Sequence, residues 1–350
     1  MSSRVARRRT TALTRGGLLG LTPLLLIGCG RAPQNYVWDT GGPAASRIAG
    51  LGWQALIAFS AATLITWGLI LWVALRRRGT LAEHEPIDVN QGQSWILIGG
   101  FAIPFAVLVF LFASMLGTLS AFPMEEHTHS QTPDIIVYGR QWWFGADYRF
   151  AGRPDLNVST ATELHIPTGR PISIQLQSQD VIHSFWVPKL HGKVDLVPGQ
   201  QNYIRIEADK PGTFQGECAE YCGRQHAHMR LLVVAQSPQD YERWLSQQRA
   251  PSADPTGEEQ AHGRTVFLSA ACATCHTIRG TGANGLIGPD LTHIGSRKTI
   301  AGGMLTNNTA HLEAWVTNAQ SLKPGAQMPN VSQFTGSDLR ALVSYLQSLQ

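Results

Sequence analysis

Cys218-Ala219-Glu220-Tyr221-Cys222-Gly223-Arg224-Gln225-His226-Ala227-His228-Met229 sets two cysteines, a histidine and a methionine within one short run. The run leads into Met229-Arg230-Leu231-Leu232-Val233-Val234, which reads as a strand. A further histidine stands upstream in Val181-Ile182-His183-Ser184-Phe185-Trp186-Val187-Pro188. Thiolate, imidazole and thioether donors together favour copper over hard cations, which prefer oxygen ligands. A disulfide between Cys218 and Cys222, or a zinc site, is the competing reading, and neither gives Met229 and the histidines a purpose.

Around this run, residues 134–138, 171–176, 202–207 and 229–234 alternate apolar and polar side chains, with turns at Pro198-Gly199 and Pro211-Gly212. Several short strands at such spacing predict a β-sandwich or barrel. Pro238 opens a short helix over 239–248, with Ser237 as its N-cap. Upstream, residues 48–75 and 94–122 carry no charge, and each is long enough to cross a bilayer. Trp53 and Trp72 sit near the ends of the first, and Pro104 predicts a kink in the second. Arg76-Arg77-Arg78 opens the loop between them and places it in the cytoplasm, so both flanks lie outside.

The first 28 residues combine Arg4, Arg7, Arg8, Arg9 and Arg15 with a short apolar run, the pattern of a secretory leader. Leu26-Ile27-Gly28-Cys29 resembles a bacterial lipobox, which implies cleavage after Gly28 and a lipid on Cys29. Only 15% of the chain is charged, well below the usual ~25%, which suits a membrane protein and excludes a disordered one. The net charge of +4 sits mostly in the leader, so it gives no argument for nucleic acid. Five cysteines, an odd number, argue against a pure disulfide framework.

Past a Pro/Ser-rich linker at 249–257, residues 258–350 read as a helical domain. Helices are expected over 258–269 and 337–349, the latter with a stripe of Leu339, Leu342, Val343, Leu346 and Leu349. Cys272-Ala273-Thr274-Cys275-His276 is a c-type haem attachment pattern: two thioethers and an axial histidine. A thioredoxin-like pair is the alternative, but no βαβ pattern surrounds it. A methionine as sixth ligand would raise the potential, and Met328 and Met304 are the candidates.

The copper region resembles cytochrome c oxidase subunit II and its dinuclear copper A centre. That resemblance implies a cupredoxin-like β domain in which Cys218 and Cys222 bridge two coppers. His183 and His226 would bind one copper each, Met229 would give a weak thioether ligand and Glu220 its backbone carbonyl. It also implies magnesium on the Glu220 side chain at the boundary with subunit I. Gln141-Trp142-Trp143-Phe144 is similar to the family's aromatic strand, which implies that electrons reach copper A through Trp142. The family usually has Trp-Tyr-Trp there; this chain has Trp-Trp-Phe. Lys323-Pro324-Gly325-Ala326-Gln327-Met328-Pro329 resembles the distal loop of class I cytochromes c, which favours Met328, and Ile287-Gly288-Pro289-Asp290-Leu291 resembles their loop beside the proximal histidine.

Together these resemble a bacterial oxidase subunit II with a fused C-terminal cytochrome c. The expected protein is a multidomain membrane protein. It has a leader (1–28), an exported segment (29–46), a transmembrane hairpin (47–76 and 94–122) around a cytoplasmic loop (77–93), an all-β cupredoxin-like domain (125–248), the linker and an all-α cytochrome c domain. The resemblance implies electron flow from a cytochrome c or similar small donor through haem c and copper A to haem in subunit I, where oxygen is reduced and protons are pumped. Subunit I with haem a and copper B, subunit III and membrane lipid are the implied partners, in a bacterial inner membrane with the metal domains on the periplasmic side. A copper A subunit of a nitric oxide reductase and a stand-alone electron-transfer lipoprotein are the alternatives; a quinol oxidase subunit II would lack the copper ligands. Many subunits II carry a glutamate just before the tryptophan that begins the second helix. Here Asn90-Gln91-Gly92-Gln93-Ser94 precedes Trp95, which leaves Glu83, Glu85 and Asp88 as the nearby acids.

Overall fold

The computed structural model describes residues 37–76, 92–122, 133–331, 333–334 and 336–350. The leader, Cys29, most of the 77–93 loop, and Glu83, Glu85 and Asp88 lie outside them. Helix α1 (Pro43–Leu75) is apolar on all sides, and side chains such as Leu64 and Leu75 are exposed. A long helix that is apolar all round and unburied has the surface of a membrane span. At ~1.5 Å per residue it is longer than a ~30 Å hydrocarbon core, and its first turn continues into the β domain. There Gly41 N–H donates to Lys189 O at 2.7 Å, Ala45 N–H donates to Leu190 O at 3.2 Å, and the Lys189 ammonium pairs with Asp39 at 2.6 Å.

Helix α2 (Gln93–Leu119) is also long and apolar enough to cross a membrane. The disturbance expected at Pro104 takes the form of a π-helical stretch at Ile96–Ala102, just before it. A widened turn takes up backbone groups that proline cannot pair. Beyond α2, Phe122 packs against His191 at 5.2 Å. The start of α1 and the end of α2 therefore both meet the turn at Lys189, Leu190 and His191, which puts the β domain at one end of the hairpin.

Ten strands form two five-stranded sheets. In chain order they are β1 (Ile135–Arg140), β2 (Trp143–Tyr148), β3 (Val158–Ala161), β4 (Glu163–Pro167) and β5 (Ile172–Ser178), then β6 (His183–Trp186), β7 (Val194–Leu196), β8 (Asn202–Ile206), β9 (Gly212–Cys218) and β10 (Arg230–Gln236). One sheet runs β3-β2-β1-β5-β8 and the other β4-β10-β9-β6-β7, with parallel pairs β1/β5 and β4/β10. Ile174, Leu176, Phe144 and Phe185 fill the space between the sheets, the two rings edge-to-face at 6.4 Å. Strand β4 shows no alternation because all five of its residues are buried. Its outer side is covered: Trp244 of α3 (Pro238–Arg249) stacks on His165 at 4.0 Å, and Glu163 accepts from Lys298 N–H at 2.9 Å. Ser237 caps α3 by accepting from Asp240 N–H.

The linker is pinned rather than free. Ser252 N–H donates to Arg279 O, and His293 Nε2 lies 3.1 Å from Ala250 O. The C-terminal domain comprises α4 (Glu258–Ser269), α5 (Cys272–Cys275), α6 (Thr309–Leu322) and α7 (Gly336–Ser348), with α4 against α7 through Phe267 and Tyr345. To the expected all-α fold the structure adds a two-stranded ladder of β11 (Thr299–Ile300) and β12 (Leu305–Thr306), too short to leave a pattern in the sequence.

Phe144 is 2% exposed and bridges the two sheets. Phe144→Ala should cost about 3–5 kcal/mol, seen as an earlier denaturant midpoint for the β domain in chemical unfolding.

Candidate copper and haem sites

The cross-strand pair Phe185↔Cys218 brings the start of β6 beside the end of β9, so His183 and Cys218 meet. His183 Nδ1 lies 3.9 Å from Cys218 Sγ, and Cys218 Sγ lies 3.7 Å from Cys222 Sγ. The short 3-10 turn His226–His228 carries His226 Nδ1 to 3.7 Å from Cys222 Sγ. Met229 Sδ is 3.9 Å from the same sulfur, and Glu220 O is 3.3 Å from Cys218 Sγ. All six residues singled out in the sequence thus converge, and both cysteines are free thiols.

The electrostatics suit a cation. The neighbouring Cys222 thiol pulls Cys218 down to about 3 against the opposing effect of burial, with His183 assisting. The Cys218 sulfur and burial in turn push Cys222 up. The Cys218 sulfur is thus the one held toward the thiolate form, the form that binds a soft cation. Burial alone would lower His183, but its bonds to Cys218 and Asp180 outweigh that and raise it. Asp180 Oδ1 lies 2.7 Å from His183 Nε2, and the same side chain accepts from Gln141 N–H and Val181 N–H. This carboxylate orients the ring so that Nδ1 faces the sulfurs. The sequence reading passed over Asp180, although an acid three residues before a ligand histidine is a usable signal.

The magnesium expectation finds no support. The Glu220 carboxylate is 43% exposed and 3.7 Å from Lys193 Nζ. Among the described residues, no cluster of three metal-ligating side chains includes it. His165, His191 and His228 are not ligands here: His165 lies beside Glu163, His191 packs on Phe122, and His228 Nδ1 lies 2.8 Å from Gln225 Oε1.

In the C-terminal domain Cys272, Cys275, His276 and Met328 line one apolar cavity, and Met304 is not in its lining. His276 Nδ1 is 2.8 Å from Pro289 O, which leaves Nε2 as the nitrogen for iron. Burial pulls His276 below its ordinary value, which keeps the ring neutral and able to ligate. A Cβ on Gly288 would sit 2.5 Å from the His276 ring, so only glycine lets that loop close over it. Arg297, 8% exposed, lines the same cavity and is a buried cation suited to the carboxylates of a haem. Free thiols, a neutral imidazole and a thioether lining one apolar cavity fit haem c.

Part of the cavity's wall belongs to the β domain: Gln141, Trp142, Trp143 and Thr162. Trp142 occupies the β1–β2 turn and is 8% exposed. Its indole N–H donates to Cys222 O at 2.9 Å, and Gln141 Nε2 donates to the same carbonyl at 2.8 Å. Trp143 packs edge-to-face on Tyr138, while Phe144 belongs to the core. The third aromatic of the strand therefore serves packing, and the first stands between the two sites.

Residues 154–236 match the family described as cytochrome c oxidase subunit II, periplasmic domain, and residues 260–350 match cytochrome c. Cytochrome c oxidase subunit 2 of Alkalihalophilus pseudofirmus is 33% identical over 335 residues, 95% of this chain and 96% of that protein. The Bacillus subtilis protein of the same name is 26% identical over 95% of this chain and 96% of its own length. Among solved structures, the periplasmic domain of subunit II of the Bradyrhizobium japonicum cytochrome oxidase aligns with a TM-score of 0.31 and 25% identity, covering 34% of this chain and 96% of that one. With two spans, a cupredoxin-like domain and a helical haem domain, matched nearly end to end by such a relative, the chain belongs to the cytochrome c oxidase subunit II family, as a member with a cytochrome c domain fused at its C-terminus.

Proposed function

We propose that this subunit feeds electrons from an external donor, such as a small cytochrome c, to haem in subunit I of a haem-copper oxidase, where oxygen is reduced to water with proton pumping. The observation that carries the reading is the shared wall: Trp142 lines the haem-side cavity and hydrogen-bonds the Cys222 carbonyl. When bound, haem c and a copper pair supply one-electron chemistry.

The protein's own residues hold, orient and insulate. Cys218, Cys222, His183 and His226 would hold the coppers, with Met229 and the Glu220 carbonyl as weaker ligands and Asp180 fixing His183. Cys272 and Cys275 would anchor the haem, and His276 and Met328 would ligate its iron. The core that includes Phe144 and Phe185 keeps water from the sulfurs and holds the ligand-bearing strands rigid. Rigid ligands change little between oxidation states, which favours fast electron transfer. None of these groups needs to act as acid, base or nucleophile.

The intact membrane complex, given a reduced small cytochrome, should consume oxygen. Consumption of nitric oxide with no oxygen uptake would contradict the assignment. Cys222→Ser should lose copper by metal analysis and keep the haem c absorption. Asp180→Asn should weaken copper retention by about 10–100-fold, measured by chelator competition. Met328→Ala should lower the haem midpoint potential and alter its spectrum while leaving the copper content unchanged; an unaltered haem would move the sixth ligand elsewhere.

A further inference from the structure

Lys323 is an ammonium in an unusual place. It caps the end of α6, donating its backbone N–H to Ala319 O, yet its side chain is only 2% exposed. Among the described ion pairs it has no carboxylate. Its Nζ instead donates to three carbonyls: Trp142 O at 2.8 Å, His228 O at 2.9 Å and Ala301 O at 2.8 Å. Two of these belong to the β domain, one in the Trp142 turn and one in the loop that carries His226 and Met229. The third belongs to the haem domain. Burial draws the ammonium down to about 7, but three accepted bonds require three N–H groups, which only the charged form has.

The surroundings are built to the same point. Gly302 has φ +69°, and a Cβ there would lie 2.3 Å from Trp142 O and 2.6 Å from Lys323 Nζ. The Gly302 carbonyl accepts from Arg230 N–H across the seam at 2.9 Å, and Gln225 Nε2 donates to Pro324 O at 2.9 Å. A compact ammonium on a four-carbon stem, with three rotatable N–H donors, suits three divergent carbonyls at one point. Left without it, those carbonyls would be buried and unpaired.

We propose that Lys323 is a positioning residue that locks the haem-bearing domain onto the copper-ligand loop in a single register, with Trp142 clamped between the haem cavity and Cys222. The proposal rests on the electron route proposed above, but its structural part can be tested separately.

Hydrogen–deuterium exchange on the intact complex reads the seam through the Arg230 amide and the Ala301-Gly302-Gly303 segment. Lys323→Met should speed exchange there by about tenfold or more, as expected for losing charge-assisted bonds, and leave β5 unchanged. After flash reduction of the haem, transfer to copper should slow by about the same factor. Haem and copper absorption should stay as in the wild type, and direct reduction of copper by a small reductant should not slow. A merely structural defect would disturb those as well. Gly302→Ala attacks the same seam without removing the charge and should show the same pattern. A Lys323→Met protein with wild-type exchange and wild-type transfer would overturn the proposal, as would a seam that is unprotected in the wild type. A protected wild-type seam with no haem-to-copper transfer would instead overturn the electron route.

Discussion

The indole N–H of Trp142 is tied to the Cys222 carbonyl, and the carbonyl of Trp142 is tied to Lys323. One residue is thus fixed by the copper-ligand loop on one side and by the haem domain on the other. The rest of the exported structure can be read as support for that arrangement. The tight β1–β2 turn presents Trp142, the sheets hold the ligand strands, and the haem-domain turn at Ala301 and Gly302 closes against it. Further bonds secure the same contact away from the centre, from Arg140 to Ile287 O and from Lys298 to Glu163 and Thr213.

This arrangement has a consequence for the donor. A short tether alone raises the effective concentration of a linked partner to on the order of millimolar, with the encounter still left to chance. Here the linker is itself pinned through Ser252 and Ala250, and the domains meet in a hydrogen-bonded seam. Trp142 is nearly covered by the fused domain, so a soluble donor cannot reach it directly. On the proposed route an external electron then comes in at the haem, and the fused domain serves as a gate to the copper site as well as a carrier.

Much of this was legible in the sequence because the relevant groups lie close together in it. The copper run spans Cys218 to Met229, and the haem run spans Cys272 to His276. In each, the residue types alone restrict the chemistry. The hairpin was legible because a bilayer demands long uncharged stretches. What escaped notice depends on distant pairing. Asp180 matters only once β6 places His183 over the sulfurs. Strand β4 lost its alternation because α3 and the haem domain cover its second face. Lys323 read only as part of a loop resembling a cytochrome's distal loop, since nothing local shows that its ammonium reaches the Trp142 carbonyl, 181 residues earlier in the chain. Composition marks residues 249–257 as a linker, but it does not show that Arg279 and His293 hold it through Ser252 and Ala250.

On the proposed route the haem and copper sites form one docked electron-transfer unit across Trp142. The most direct test is to reduce the haem of the purified complex with a flash and follow the appearance of reduced copper while the protein is progressively diluted. A docked unit gives a first-order rate that does not change with concentration or with ionic strength. A rate that falls in proportion to dilution would mean that electrons pass between molecules, and would contradict it.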